Sequence, residues 1–284
     1  TSKTINPMQL LALLSHHFPD IPPARLPGGF DRVGDIAVFG IVPEVTPWQA
    51  AIGALLLAQH PHLKVVAKRA GEVGGEFRTM PLEVIAGEER LRTTHRENGV
   101  VLHLDLGRVY YSVRSAQERA RIAALVAPGE RVGVLCSGVG PFPLVIARHS
   151  RAAEVIGIEK NPLAHSFAME NLDANRRLRG LRFIKGDAAE VLPTLAPGFD
   201  RILIVLPQGG EPLLPAALAA LRPGGALHFY HMQAKGCHSA TLAKVEAAAR
   251  EQGLRMRPLR VVRCGNCGPT VHRVCLDAVI DTTT

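Results

Sequence analysis

The stretch that most constrains this chain is Glu130–Glu159, ERVGVLCSGVGPFPLVIARHSRAAEVIGIE. Its pattern predicts an apolar strand over Val132–Cys136, a glycine turn over Ser137–Gly140 and a helix over Pro141–His149. A second apolar strand, Val155–Ile158, ends on an acid, Glu159. That order is half of a nucleotide-binding βαβ unit. Glycines let the backbone approach a ligand at a helix N-terminus, and an acid at the tip of the second strand can accept hydrogen bonds from ribose hydroxyls. Glu159 stands 21 residues after Gly138, close to the spacing of about 20 that such a fingerprint carries.

The turn is GxG without a third glycine. This argues against a dinucleotide and leaves room for S-adenosylmethionine (SAM), which has no pyrophosphate to cradle. A glycine turn in another kind of α/β protein stays open on this stretch alone.

Of the 284 residues, 47% are hydrophobic and 20% charged, which fits a globular protein with material for one large or two modest domains. The longest apolar run, residues 50–58, is too short to span a bilayer, so no membrane partner is expected. No secretory signal is expected from the N-terminus. Five cysteines, an odd count, suit a reducing cytoplasm. The net charge of +8 lies wholly in residues 111–284, where 22 Lys+Arg face 14 Asp+Glu; in residues 1–110 the two signs cancel at 11 each. Such an imbalance suits a polyanion such as RNA, although an arginine-rich composition explains it equally well.

Along the chain, Pro7–His17 reads as a helix with Leu10, Leu11, Leu13 and Leu14 on its apolar side, followed by a proline-rich linker to residue 27. Residues 28–110 read as a small α+β domain. It has a strand candidate over Val33–Val42, a helix from Thr46 (N-cap) and Pro47 to His60, and strands at Val65–Lys68, Leu82–Ile85 and Val100–Leu106. The boundary is expected near Gly107–Tyr111. From Tyr111 onward helices and strands alternate: a helix Ser115–Val126, the βαβ unit, a helix Pro162–Asn175, and strands Leu181–Ile184 and Arg201–Leu206. A helix Glu211–Leu221, a strand Ala226–Met232, a helix Ala240–Gln252 and strands near Leu259–Arg263 and Val271–Val279 complete the chain. The fold class is therefore α/β, a doubly wound sheet preceded by a small α+β domain. Ligands of such sheets sit at the carboxyl ends of the strands. The Ser137–Gly140 turn, Glu159 and Asp187 all fall there, with Glu159 suited to a ribose and Asp187 to an adenine amine. Either acid alone also reads as a loop residue or an N-cap.

The sequence resembles the tRNA guanosine-37 N1-methyltransferases and their wybutosine-synthesis relatives over roughly residues 30–280. The resemblance rests on DRVGDIAVF (31–39), GEFRTMPLEVIAGE (75–88), THRENGVVLHLDLGRVYYSVRSAQER (94–119), SGVGPF (137–142), IEKNP (158–162), GD (186–187), LP (206–207) and LHFYHM (227–232). It implies a class I, Rossmann-type SAM methyltransferase domain that transfers a methyl group to N1 of the guanosine 3′ to the anticodon. It also implies Glu118 as general base and Arg78 as the residue contacting the guanine carbonyl. Ser137, Gly138, Val139, Gly140, Glu159, Lys160, Asp187, Leu206 and Pro207 match the cofactor side, and Tyr111 and Arg114 lie near the substrate and the methionine end.

Three positions depart from the family pattern. Val134 stands where the first strand usually carries an acid, Val205 stands where an asparagine precedes Leu-Pro, and residues 1–27 stand where many archaeal members carry a separate tRNA-elbow domain. The lost asparagine keeps open other SAM chemistry: aminocarboxypropyl transfer, or cyclisation of SAM itself, with a small-molecule acceptor. A non-catalytic RNA-binding protein is a third reading, against which Glu159 and the glycine turn weigh. The basic cluster Arg176, Arg177, Arg179, Arg182 and Lys185 is a candidate phosphate contact. Cys264, Cys267, His272 and Cys275 have roughly zinc-knuckle spacing, but a strand over 271–279 points His272 and Cys275 to opposite faces, so no metal is expected. His228 and His231 read as core or cleft-edge residues.

Overall fold

The structure, a computed structural model, describes residues 7–235, 237, 239–266 and 270–282. The chain divides into two units, residues 1–97 with 101–113, and residues 98–100 with 114–284. Among the described residues no helix is long and apolar enough to cross a membrane.

In the first unit, α1 (Pro7–His17) forms over the residues that its leucine spacing predicts. Leu10 and Leu14, one turn apart, are buried at 2% and 0% exposure, while Leu11 and Leu13 are only half-buried. Each fully buried leucine contributes about 1.5–3 kcal/mol, which holds a short helix whose own propensity is marginal. The proline-rich stretch after it packs against the rest of this unit. Ile21 and Leu26 enter the same apolar cluster as Phe39, Val45, Ile52 and Leu56.

The expected strand over Val33–Val42 is two strands, β1 (Asp31–Val33) and β2 (Ile36–Phe39), paired antiparallel. Gly34 turns the chain between them at φ +59°, and a Cβ there would stand 2.1 Å from Thr93 Oγ1. Thr46 caps nothing. A 3₁₀ stretch, Pro43–Trp48, holds both prolines and leads into α2 (Gln49–Gln59) without a side-chain cap. Next come β3 (Val65–Arg69) and β4 (Leu82–Gly87), giving a four-stranded sheet in the order β1-β2-β3-β4, and then the separate pair β5 (Arg92–Glu97) and β6 (Val100–Asp105). The β5 sequence, RTTHRE, carries no apolar residue. It alternates all the same, with Thr93 and His95 buried and Arg92, Thr94 and Arg96 exposed.

The second unit opens with α3 (Ala116–Leu125), then β7 (Arg131–Leu135), α4 (Pro141–His149), β8 (Glu154–Glu159), α5 (Pro162–Ala174) and β9 (Leu181–Lys185). A short α6 (Ala188–Val191) that the apolar pattern did not reveal precedes β10 (Phe199–Ile204). The chain closes with α7 (Leu214–Ala220), β11 (Leu221–Ala234), α8 (Ser239–Glu251), β12 (Leu254–Asn266) and β13 (Val271–Thr282). The sheet order is β12-β13-β11-β10-β7-β8-β9. The strands from β11 to β9 are parallel, and β13 runs antiparallel between β11 and β12. From β7 the chain winds outward through β8 to β9 and then crosses to β10 on β7's other side. The switch point therefore lies at the carboxyl end of β7. Val134, in place of the family acid, is fully buried in that strand.

Because Gly34 is left-handed and enclosed, Gly34→Ala should destabilise the protein by about 2 kcal/mol or more. Denaturant unfolding checks this; wild-type stability in the variant would contradict the packing described.

Candidate functional site

At the end of β7 the backbone turns through three left-handed residues, Cys136 (φ +59°), Gly138 (φ +58°) and Gly140 (φ +88°). Gly140 opens α4. A Cβ on it would stand 2.5 Å from the Phe183 ring, so the turn has no space for a side chain there. Two side chains from other elements fix the turn. The Gly138 N–H donates to Glu159 Oε2 at 2.7 Å, while Glu159 Oε1 accepts from the Asn161 N–H, also at 2.7 Å. Asn171, fully buried on α5, donates from Nδ2 to the Val139 carbonyl at 2.9 Å. Burial pushes the Glu159 carboxyl up from its ordinary pKa, and the backbone amides of Asn161, Gly138 and Lys160 oppose that shift. The Cys136 thiol is pushed up to about 12, by burial first and then by the charges of Glu159 and Asp187, which disfavours the thiolate.

Asp187 is an N-cap. Its Oδ1 accepts from the Ala189 N–H at 2.9 Å, and its Oδ2 pairs with Lys160 Nζ at 3.1 Å. The amide of Ala189 first, and then Lys160, hold its pKa below the ordinary carboxylate value. Leu206 and Pro207 lie beyond β10, and the Pro207 carbonyl accepts from the Met232 N–H at 2.8 Å. Ser137 is buried, and its Oγ has no partner among the described residues. The turn, Glu159, Lys160, Asp187, Leu206 and Pro207 thus all gather at the strand ends. An orphaned hydroxyl and a carboxylate with acceptor capacity to spare fit the hydroxyls and amine of an adenosyl group.

Elsewhere in the second unit, Glu118 is buried rather than solvated and pairs with Arg121 through Nε–Oε2 and Nη2–Oε1, both at 2.7 Å. The Tyr230 hydroxyl donates to Oε1 at 2.7 Å. Arg114 is exposed. In the first unit, Arg78 is half-buried on the loop before β4 with φ +54°, a strained conformation for a residue with a Cβ. Tyr111 donates its hydroxyl to Glu97 Oε2 at 2.8 Å. A cleft of about 700 Å³ in this unit is lined by Arg32, Arg90, Arg92, Arg96 and His62. Asp35, also in its wall, is taken up by Arg90 and by the Thr93 hydroxyl.

Asn171 and the Asp277 network have no signature in the sequence. Nothing in an isolated asparagine says that it faces a turn 32 residues earlier, and Asp277 meets His228, Arg121 and Arg260 only once the sheet forms. His228, Cys275 and Asp277 lie close enough together to resemble a ligand set. Their atoms are already in use: His228 Nε2 faces Arg201 Nη1 at 2.7 Å, its Nδ1 faces Asp277, and Cys275 Sγ points at Asp277. Arg201 can only donate, so His228 Nε2 is the acceptor and Nδ1 carries the proton that goes to Asp277. Three guanidiniums beside the trio, those of Arg121, Arg201 and Arg260, make it a poor cation site. The cysteine–histidine spacing noted above includes Cys267, which lies outside the described residues. His231, on the interior strand β11, meets Thr241 and Glu211.

Asn171→Ala would leave the Val139 carbonyl without its donor and should cost about 1–3 kcal/mol, measured by denaturant unfolding; no loss would mean that the turn does not depend on that bond. His60, His165, His228 and His231 all have pKa values lowered from 6.5, chiefly by burial. The unfolded chain therefore binds these protons first, so their contribution is complete above the ordinary value and is lost as pH falls below it. The thermal midpoint should drop between pH 7.5 and 5.5, and a flat or rising profile would contradict the neutral burial of His228.

Residues 93–257 match the TRM5/TYW2 methyltransferase domain, and residues 10–90 match the TYW2 N-terminal domain. The chain is 32% identical to the tRNA (guanine(37)-N(1))-methyltransferase Trm5b of Pyrococcus abyssi, over 89% of this chain and 74% of that one. It is 28% identical to the tRNA(Phe) (4-demethylwyosine(37)-C(7)) aminocarboxypropyltransferase of Pyrococcus horikoshii, over 93% and 94%. Guanine-37 N1-methyltransferases of Danio rerio and Methanocaldococcus jannaschii are matched over only 38% and 58% of their own lengths. The structure of aTrm5 in complex with tRNALeu superposes with a TM-score of 0.82 at 28% identity, covering 96% of this chain and 78% of that one. The chain belongs to the TRM5/TYW2 methyltransferase family of SAM-dependent transferases.

Proposed function

We propose that this protein transfers the methyl group of SAM to N1 of guanosine 37 in tRNA. The observation that carries the reading is the carboxylate of Glu159 tied to the Gly138 amide at adjacent strand ends, beside the orphaned Ser137 hydroxyl. Ser137–Gly140, Glu159, Lys160 and Asp187 hold the adenosyl moiety, with Leu206 and Pro207 against the base and Tyr111 and Arg114 toward the methionine end. When bound, SAM supplies an electrophilic methyl carbon on a sulfonium.

The residues of the chain do the rest. Guanine N1 carries a proton near neutral pH and is a poor nucleophile until a base removes it. Glu118, a buried carboxylate, takes that proton. Negative charge then spreads to the guanine carbonyl oxygen, where the Arg78 guanidinium stabilises it. The strained backbone of Arg78 supports a positioned rather than incidental side chain.

RNA would meet two basic surfaces. One is the arginine-lined cleft of the first unit. The other surrounds a recess of about 480 Å³ in the second unit, whose lining includes Arg148, Arg176 and Arg177, with Arg179, Arg182 and Lys185 exposed nearby in the chain. A tRNA substrate, together with described cysteines that are free thiols, fits a cytoplasmic setting.

A second reading, aminocarboxypropyl transfer, is favoured by Val205 on the acceptor side and by the match of residues 10–90 to the TYW2 N-terminal domain. Incubation with SAM, with and without tRNA, separates the readings. S-adenosylhomocysteine with methylated tRNA is the expected result. Methylthioadenosine formed only with tRNA would establish the second reading, and methylthioadenosine formed without it would point to cyclisation. Reversing the charge of Arg176, Arg177 and Arg179 should weaken tRNA binding and flatten the dependence of log K on log salt by about 0.7–0.9 per lost phosphate contact. An unchanged slope would remove that surface from the interface.

A further inference from the structure

A carboxylate offers about four lone-pair sites, two on each oxygen. Three of Glu118's are filled from within the second unit. Oε1 accepts from the Tyr230 hydroxyl and from Arg121 Nη2, and Oε2 accepts from Arg121 Nε. We propose that Tyr230 and Arg121 are positioning residues that leave Glu118 a single acceptor site, on Oε2, and so decide which oxygen takes the proton from the acceptor nucleobase. This rests on the reading of Glu118 as the base.

The donors are themselves fixed. Arg121 Nη1 donates to Asp277 Oδ2 at 2.6 Å, and Asp277 also accepts from Arg260 Nε at 2.8 Å and from the His228 ring at 2.6 Å. Arg201 holds the far side of that ring and is paired twice with Glu130. Arg121 therefore cannot swing away without leaving a buried Asp277 short of a donor. Tyr230 is anchored by its ring, which packs edge-on against Phe142 at 5.7 Å in the first turn of α4. Burial pushes its phenol well above the ordinary value, so it remains a donor at any working pH. Among the described residues, the other ionisable groups facing this carboxylate are Cys264 on β12 and Cys275 on β13, with Asp277 behind Arg121. Both thiols are pushed up and stay neutral. In the step itself the proton on guanine N1 passes to Oε2. The N1 electron pair forms the bond to the methyl carbon, and the broken carbon–sulfur pair stays on sulfur.

The test uses the full chain, SAM and a tRNA transcript with guanosine 37. Tyr230→Phe should lower kcat about 10- to 100-fold with KM for tRNA and SAM affinity unchanged, and should move the acidic limb of the rate–pH profile upward, because a donor to the charged carboxylate is gone. On a Glu118→Gln background the same change should cost nothing further. Arg121→Lys, which keeps the charge and loses the fork, should lower kcat and move the limb in the same direction, which gives a second variant in case the first does not fold. Equal losses in both backgrounds, or an unmoved limb in the folded variants, would overturn the positioning role. Full activity of Glu118→Gln would instead remove the base reading beneath it, and absence of any transfer to the transcript by the wild-type protein would remove the substrate.

Discussion

One contact sets the geometry of the catalytic unit: the buried carboxylate of Glu159 accepting the Gly138 N–H at 2.7 Å. It ties the tip of β8 to the turn leaving β7 and closes the strand ends into a shaped edge. The turn needs the restraint. Three residues in five sit at positive φ, one of them a cysteine, and such a backbone persists only where its surroundings over-determine it. Asn171 from α5 and the Phe183 ring from β9 press on the same few atoms. A single acid thus serves structure and candidate chemistry together, since its oxygens keep acceptor capacity after binding the backbone amides of Gly138, Lys160 and Asn161.

The buried charges of the unit follow a different logic. Glu118, Arg121, Asp277, His228, Arg201 and Glu130 form a chain in which each charge or dipole meets its complement. Isolated, any one of these would be costly to bury. Together they are satisfied, and replacing them with apolar residues could raise stability while erasing the arrangement. Such a network fixes a side chain's direction rather than adding to the depth of the fold.

How much of this is legible in the sequence depends on whether the signal is local. The leucines of α1, the apolar runs of β7 and β8 and the Ser137–Gly140 turn announce themselves within a dozen residues, and the strand-end acids follow from the βαβ spacing. β5 does not, because RTTHRE has strand alternation in its burial and none in its hydropathy. The break at Gly34 is likewise hidden, since one glycine in an apolar run reads as a bulge as readily as a turn. Thr46 and Pro47 have the residue types of a helix start, but Pro43 begins a 3₁₀ stretch earlier and takes their place. Asp187 is legible as an acid at a strand end; its capping bond to Ala189 requires a four-residue helix that no periodicity marks. Arg78 and Glu118 stand out through the family resemblance alone. Neither the left-handed backbone of the first nor the fork of Arg121 around the second can be read from neighbouring residues.

The central claim is that Glu159, by gripping the Gly138 amide, builds the adenosyl site. Titration calorimetry of S-adenosylhomocysteine into the wild type and into Glu159→Ala, with folding of both confirmed by circular dichroism, tests it most directly. The account predicts saturable one-to-one binding to the wild type and a loss of affinity of at least tenfold in the variant. Absence of heat with the folded wild type, or equal affinity in the two proteins, would contradict it.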